Sequence, residues 1–175
     1  MRFHHVAVAA IACIGAMSTA RAQEAPLGAT SKMSGKEEKA LAELKGKVTG
    51  KIVWSTSRAN SKHDIWIMNA DGTDKKALTE SDNNVDWFSR FSPDGSRVMF
   101  CRSKMGWVNE MDAEMFGKWD LWIINTDGSD EKKVVEEAAW GTWRPNGEEI
   151  VFARGPKVFK KNLSSGEETE VFDAE

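Results

Sequence analysis

Asp64 to Asp74 reads DIWIMNADGTD, and Asp120 to Asp130 reads DLWIINTDGSD. The two stretches match in residue class at nearly every position. A second element also recurs. Phe91 to Ser103 reads FSPDGSRVMFCRS, and Trp143 to Gly155 reads WRPNGEEIVFARG. The apolar triplet inside it occurs three times, as Ile52-Val53-Trp54, Val98-Met99-Phe100 and Ile150-Val151-Phe152. A degenerate copy of the first element follows at Val158 to Gly166, VFKKNLSSG. Two different elements recurring in one order, at periods of roughly fifty residues, indicate stacked copies of one small unit, a solenoid or a propeller.

Each piece of the unit has a physical reading. Pro93-Asp94-Gly95 and Pro145-Asn146-Gly147 form turns, because Pro fixes φ and Gly takes the positive-φ position. Asp71-Gly72 and Asp127-Gly128 form hairpin turns. The runs between them are rich in Val, Ile, Trp and Phe and fit strands. One unit is four short antiparallel strands: a before the Pro turn, b after it, c carrying the Trp, and d after the Asp-Gly turn. Along c, Ile65 and Ile67 point one way and Trp66 and Met68 the other; Leu121 and Ile123 against Trp122 and Ile124 repeat the pattern. Both faces are apolar. A one-layer sheet alternates apolar with polar, whereas a sheet flanked by sister sheets does not.

These residues carry a family resemblance. The D-[IL]-W-I-[MI]-N-x-D-G-[ST]-D and [FW]-x-P-[DN]-G-x-x-[IV]-x-F elements resemble the β-propeller repeats of the TolB-like, WD-type class, over about residues 50–173. The fold class expected is all-β: four-stranded antiparallel propeller blades, about three of them in an incomplete β-propeller, with a short N-terminal helix. A TolB protein also carries an N-terminal α/β domain, and here only residues 23–49 lie between the leader and the repeats. Closed propellers have at least four blades. The chain is therefore expected to be a fragment, an open array, or a protein that self-assembles to complete the propeller.

Residues 1–22 read as an export signal. Arg2 is the positive end, Val6 to Met17 the apolar run, and Ala20-Arg21-Ala22 an A-x-A cleavage site before Gln23. Twelve apolar residues are too short for a permanent membrane span. The expected location is periplasmic or secreted. Residues 23–33 read as a linker. Ser34 and Glu37 form a capping-box pattern ahead of a helix over 36–45, stopped by Gly46. Leu41 and Leu44 give that helix one small apolar face, expected to dock lightly on the domain.

Composition bounds the function. The chain has 175 residues, 24 Lys+Arg against 27 Asp+Glu, 3 His, 2 Cys, 8 Trp, 8 Phe and no Tyr. An acidic balance excludes a basic nucleic-acid footprint. Without residues 1–22, one His (His63) and one Cys (Cys101) remain, which leaves no obvious His-based triad or multi-histidine metal centre. There is no G-x-S-x-G elbow and no Gly-rich phosphate loop. The Asn-x-Asp-Gly-x-Asp runs lack EF-hand spacing, so they read as turns. No metal or cofactor is expected. Cys101 reads as a buried, inert thiol and His63 as a surface-loop residue.

The one asymmetry is the b–c connection of the second unit, Ser103 to Lys118, SKMGWVNEMDAEMFGK, against the short Thr56–Lys62 connection of the first. It lies on the rim opposite the repeated turns. Long loops on rigid scaffolds concentrate binding. The candidate ligand- or partner-binding residues are Trp107, Glu110, Asp112, Glu114, Phe116 and Trp119. The leading expectation is an exported non-enzymatic scaffold that binds a protein or a cell-envelope component. The alternatives are the N-terminal part of a larger propeller enzyme of peptidase or polysaccharide-lyase type, and a glycan or small-ligand binder acting through the 103–118 loop.

Overall fold

The structure is a computed structural model that describes residues 34–57, 62–104, 106, 108 and 116–173. The leader reading (1–22) and the linker reading (23–33) lie outside the described residues. Three antiparallel sheets follow one another along the chain. Blade 1 is β1 (Lys51–Thr56), β2 (Asp64–Asn69) and β3 (Lys76–Ala77). Blade 2 is β4 (Asp86–Phe91), β5 (Arg97–Ser103), β6 (Trp119–Asn125) and β7 (Lys132–Val135). Blade 3 is β8 (Ala139–Trp143), β9 (Glu149–Arg154), β10 (Lys157–Asn162) and β11 (Glu168–Asp173). In blades 2 and 3 the spatial order is the chain order, a-b-c-d, and blade 1 is b-c-d. The all-β expectation and its three blades are observed.

The repeated polar residues are turn fasteners. Asp71 Oδ1 accepts from Thr73 N at 3.0 Å and Thr73 Oγ1 at 2.6 Å, and Asp127 Oδ1 accepts from Ser129 N at 2.8 Å and Ser129 Oγ at 2.6 Å. Asn69 and Asn125 bridge to the same hydroxyls, at 3.0 and 2.9 Å. Gly72 and Gly128 take φ of 83° and 98°, which a Cβ would oppose. The Asp that opens each c strand has a different task. Asp64 Oδ1 accepts from Ser81 N and Asp120 Oδ1 from Glu137 N, each 17 residues on, which ties strand c to the connection leaving its own blade.

Hydroxyl and amide donors hold the turn carboxyls of Asp71 (chiefly Thr73), Asp94 (chiefly Ser92) and Asp127 (chiefly Ser129) below the usual carboxylate range. A folded pKa below the unfolded value adds stability above the unfolded pKa and loses it as pH falls through the folded one. The melting temperature is therefore expected to be insensitive to these turns from about pH 8 to 5 and to fall below about pH 4. In a series of thermal melts, D71N/D94N/D127N should show a shallower acid limb than the wild type. An unchanged limb would contradict this account.

The core lies between blades. Ile65, Ile67 and Leu78 of blade 1 meet Val98, Phe100 and Ile124 of blade 2. Met99, Cys101, Leu121 and Ile123 leave the other side of blade 2 and meet Ala139, Ile150 and Phe152 of blade 3. Blade 2 is thus buried on both faces, as its doubly apolar strands require. Helix α1 (Gly35–Leu44) starts at the expected capping box, with Ser34 and Glu37 bonded reciprocally. Gly46 follows its C-cap at φ 73°. Leu41 rests on Gly72 so closely that a Cβ there would meet it at 2.8 Å, while Leu44 stays exposed.

Candidate functional site

The b–c and d–a connections share one rim, and the start of the long insert is pinned to it. Ser103 Oγ donates to Gly106 O at 2.8 Å, Lys104 N to Lys118 O at 2.8 Å, and Gly106 N to Asn83 O at 2.8 Å. Trp87 Nε1 donates to Val108 O at 3.2 Å, and the Val108 side chain is buried. Val108 is thereby held against Trp87. The short turn Phe116–Lys118 leads back into β6.

Of the expected site residues, Trp107, Glu110, Asp112 and Glu114 lie outside the described residues. Phe116 opens the short turn. Trp119 is fully buried in the core of blade 2, with its ring edge-on to Phe88 at 6.5 Å. It offers no surface to a ligand, because the first residue of strand c faces the sister blade.

His63 differs from its sequence reading. Its ring is half-buried and stacks on Trp87 with centroids 3.7 Å apart, and its carbonyl accepts from Asp86 N at 2.7 Å. It helps to join blade 1 to blade 2. Nδ1 lies 3.4 Å from Ser55 Oγ, whose single hydrogen is directed to Asp86 O at 2.6 Å. With that hydrogen so engaged, the 3.4 Å contact is a hydrogen bond only in the tautomer that carries its proton on Nδ1.

Sequence reading missed the feature that stands out on the inner strands. Strand a is bulged in both complete blades, after Trp87 and after Ala139. The bulge places Phe88 at φ 57° and Trp140 at φ 55°, a left-handed conformation that is costly for bulky side chains. The two rings lie 4.8 Å apart, and Trp140 is 45% exposed. Packing enforces the strain. Gly141 sits so close to Met99 and Leu121 that a Cβ would meet them at 2.8 and 3.0 Å. The backbone N–H groups of Trp140 and Gly141 point at the Cys101 sulfur. Burial nevertheless pushes the Cys101 thiol up to about 12, so it is inert as expected. A signal for this pair was present: extending the second repeat backward from Phe91 and Trp143 aligns Phe88 with Trp140.

The surrounding charges are paired. Arg102 meets buried Asp86 at 2.8 Å and also Glu131; Lys104 meets Glu137 at 2.8 Å; Arg154 meets Glu168 at 3.1 Å. Among the described residues, the rim thus sets an aromatic surface in a frame of paired charges. Its described aromatic part suits stacking or an apolar anchor. Among the described residues no group of three or more His, Cys, Asp or Glu is placed to hold a metal ion.

Successive antiparallel sheets of three and four strands, stacked face to face, define a β-propeller array. The particular version is TolB-like and partial. A structure described as TolB from Agrobacterium tumefaciens superposes with a TM-score of 0.55 at 20% identity, covering 70% of this chain and 45% of that one. TolB from Acinetobacter baumannii gives 0.51 at 12%, covering 78% and 35%. A chain of the nidogen–laminin complex gives 0.51 at 13%, covering 71% and 45%. The chain spans less than half the length of each. No family model and no curated protein matches the sequence.

Proposed function

We propose that the chain is an exported, non-catalytic propeller scaffold whose rim binds a protein or another cell-envelope component. The observation that carries this reading is the exposed Trp140, held against Phe88 on a left-handed bulge beside the 103–118 insert. Partly exposed Trp on rigid backbone is the residue type that anchors interfaces, because it contributes large area at little entropic cost. Strain of this kind collects at functional sites. The β-propeller fold is compatible with a scaffold, and the leader pattern at 1–22 supports export. None of the described helices is long and apolar enough to cross a membrane.

The test is affinity capture from an envelope fraction with wild type and Trp140→Ala. The wild type should retain a specific component, and the variant should lose at least about tenfold in capture, the size of a typical interface hot spot. Equal capture by both, or none by either, would refute it. Amino-terminal sequencing of the exported chain should begin at Gln23. The exposed indole also fits a sugar ring, so an oligosaccharide panel read by Trp fluorescence belongs in the same experiment. A response lost in Trp140→Ala would make the ligand a glycan.

A further inference from the structure

Four turns place an Asp or Asn before a glycine of positive φ. They are Asp71-Gly72, Asp94-Gly95, Asp127-Gly128 and Asn146-Gly147, with glycine φ of 83°, 72°, 98° and 69°. The first three are acids, each fastened by a hydroxyl as well as an amide. Thr73 serves Asp71 and Ser129 serves Asp127. Asp94 accepts from Ser92 Oγ at 2.6 Å, Ser96 Oγ at 2.7 Å and Ser96 N at 3.1 Å. The fourth is an amide, and Asn146-Gly147 is the one Asn-Gly pair in the sequence. Glu148 stands where the sister turns have Thr73, Ser96 and Ser129, so their hydroxyl is replaced there by a carboxylate side chain.

An asparagine followed by glycine can react with its own backbone. The glycine nitrogen attacks the carboxamide carbon, and no Cβ on the glycine obstructs it. This turn assembles the parts. Asn146 Oδ1 accepts from Glu148 N at 3.1 Å and Glu149 N at 3.2 Å. Those bonds close a ring of atoms that contains Gly147 N, so the carboxamide carbon stays folded back toward that nitrogen. They also put two N–H donors on the oxygen where negative charge develops as the carbon becomes tetrahedral. Arg97 Nη2 donates to Gly147 O at 2.6 Å and brings positive charge to the same segment, which favours an amide anion. Asn146 is exposed, so water reaches it. The three aspartates are spared, because a carboxylate is a poor electrophile and their donors keep them ionised.

We propose that Asn146 is a deamidation site of the folded chain, converted through a cyclic imide with Gly147 into aspartyl and isoaspartyl forms. Hydroxide takes the proton of Gly147 N, which gives up its 2.9 Å bond to Arg144 O. The nitrogen bonds to Asn146 Cγ, the Cγ–Nδ2 bond breaks, and Nδ2 leaves as ammonia after taking a proton from water. Water then opens the imide. Attack at Cγ leaves the ordinary backbone with a side-chain carboxylate. Attack at the backbone carbonyl carbon leaves the chain running through Cβ and Cγ. The aspartyl form matches the Asp94 turn of blade 2 and keeps the hairpin. The isoaspartyl form adds a methylene to the main chain between β8 and β9, where Arg144 N donates to Glu149 O at 2.9 Å. Either form replaces the 3.2 Å bond from Asn146 Nδ2 to Glu149 Oε2 with two facing carboxylates, beside Arg144 and Lys160. The turn lies at the opposite end of β8 from Trp140, so this goes beyond partner binding at the rim.

The test is incubation of the purified, folded chain in mildly alkaline buffer, sampled by isoelectric focusing and by peptide mapping with mass spectrometry. Circular dichroism taken alongside confirms that the chain stays folded. The wild type should gain an acidic band and release ammonia in step with conversion at position 146, at a rate proportional to hydroxide. Position 146 should convert at least about tenfold faster than Asn69, Asn125 and Asn162. Gly147→Ala should slow the reaction at least about tenfold. Its Cβ would have Arg97 and Pro93 no nearer than 3.9 Å, so its strain is confined to the backbone. Asp94→Asn should open a second reactive site at the sister turn. Conversion at 146 no faster than at the other three asparagines would overturn the proposal, whether or not either variant folds. Gly147→Ala reacting as fast as the wild type would overturn the cyclic imide. An Asp94→Asn turn that stays intact would overturn the part assigned to carboxylate charge.

Discussion

Arg102→Met should lower stability by about 3–5 kcal/mol, the usual cost of removing one member of a buried ion pair. Both Asp86 carboxylate oxygens accept from Arg102, from Nε and Nη2, each at 2.8 Å, and Asp86 is fully buried. The guanidinium also lies over Trp122 at 4.8 Å and Phe100 at 5.1 Å. Asp86 is fixed from the other side as well. Its N–H donates to His63 O, and its carbonyl accepts from Ser55 Oγ. The pair therefore sits at the junction of blades 1 and 2, and without the guanidinium an uncompensated carboxylate remains there. For a domain of this size the loss corresponds to a melting temperature lower by roughly 10–20 °C. The double variant Asp86→Asn/Arg102→Met removes both charges and should recover at least half of the loss. Urea melts of the three proteins decide it; a single variant as stable as the wild type would show that the pair contributes nothing to the junction.

The junctions and the pair were not equally legible in the sequence. Strand c of blades 1 and 2 could be read directly, because D-[IL]-W-I-[MI]-N shows period-two alternation with both phases apolar, and only a sheet with two neighbours permits that. The turns were legible because Pro, Asn, Asp and Gly leave a local chemical mark. The bulges at Phe88 and Trp140 leave none. Phe and Trp are not left-handed residues by preference, and what holds Trp140 there is the tight fit of Gly141 against Met99 and Leu121, twenty residues away in sequence at the nearest. His63 was misread for the same reason. Its partner Trp87 belongs to the next blade, and no local pattern records contacts between blades. Trp119 looked like part of the insert because it adjoins it. Register decides otherwise: Trp119 pairs with Ser103 at the mouth of the loop and already belongs to the sheet.

That distinction predicts two tryptophan variants with opposite behaviour. Trp119→Ala should destabilise the chain by about 3–5 kcal/mol, the range for truncating a fully buried large aromatic. Its ring packs on Phe88, and its carbonyl accepts from Ala138 N at 3.1 Å, where the chain crosses from blade 2 to blade 3. The cavity would open beneath the aromatic pair and beside both ends of the insert, so Phe88 would lose the surface that keeps its left-handed backbone in place. Trp140→Ala removes an exposed ring from the other side of that pair and should change stability by less than about 1 kcal/mol. Urea melts followed by circular dichroism, which does not depend on the deleted fluorophore, give both values. Envelope capture normalised to folded protein then separates the roles. Trp140→Ala should bind less while melting almost normally, whereas Trp119→Ala should melt early while its folded fraction binds as the wild type does. If Trp119→Ala instead lost capture at unchanged stability, the core would not hold that indole, and the rim would extend into what this structure places inside blade 2.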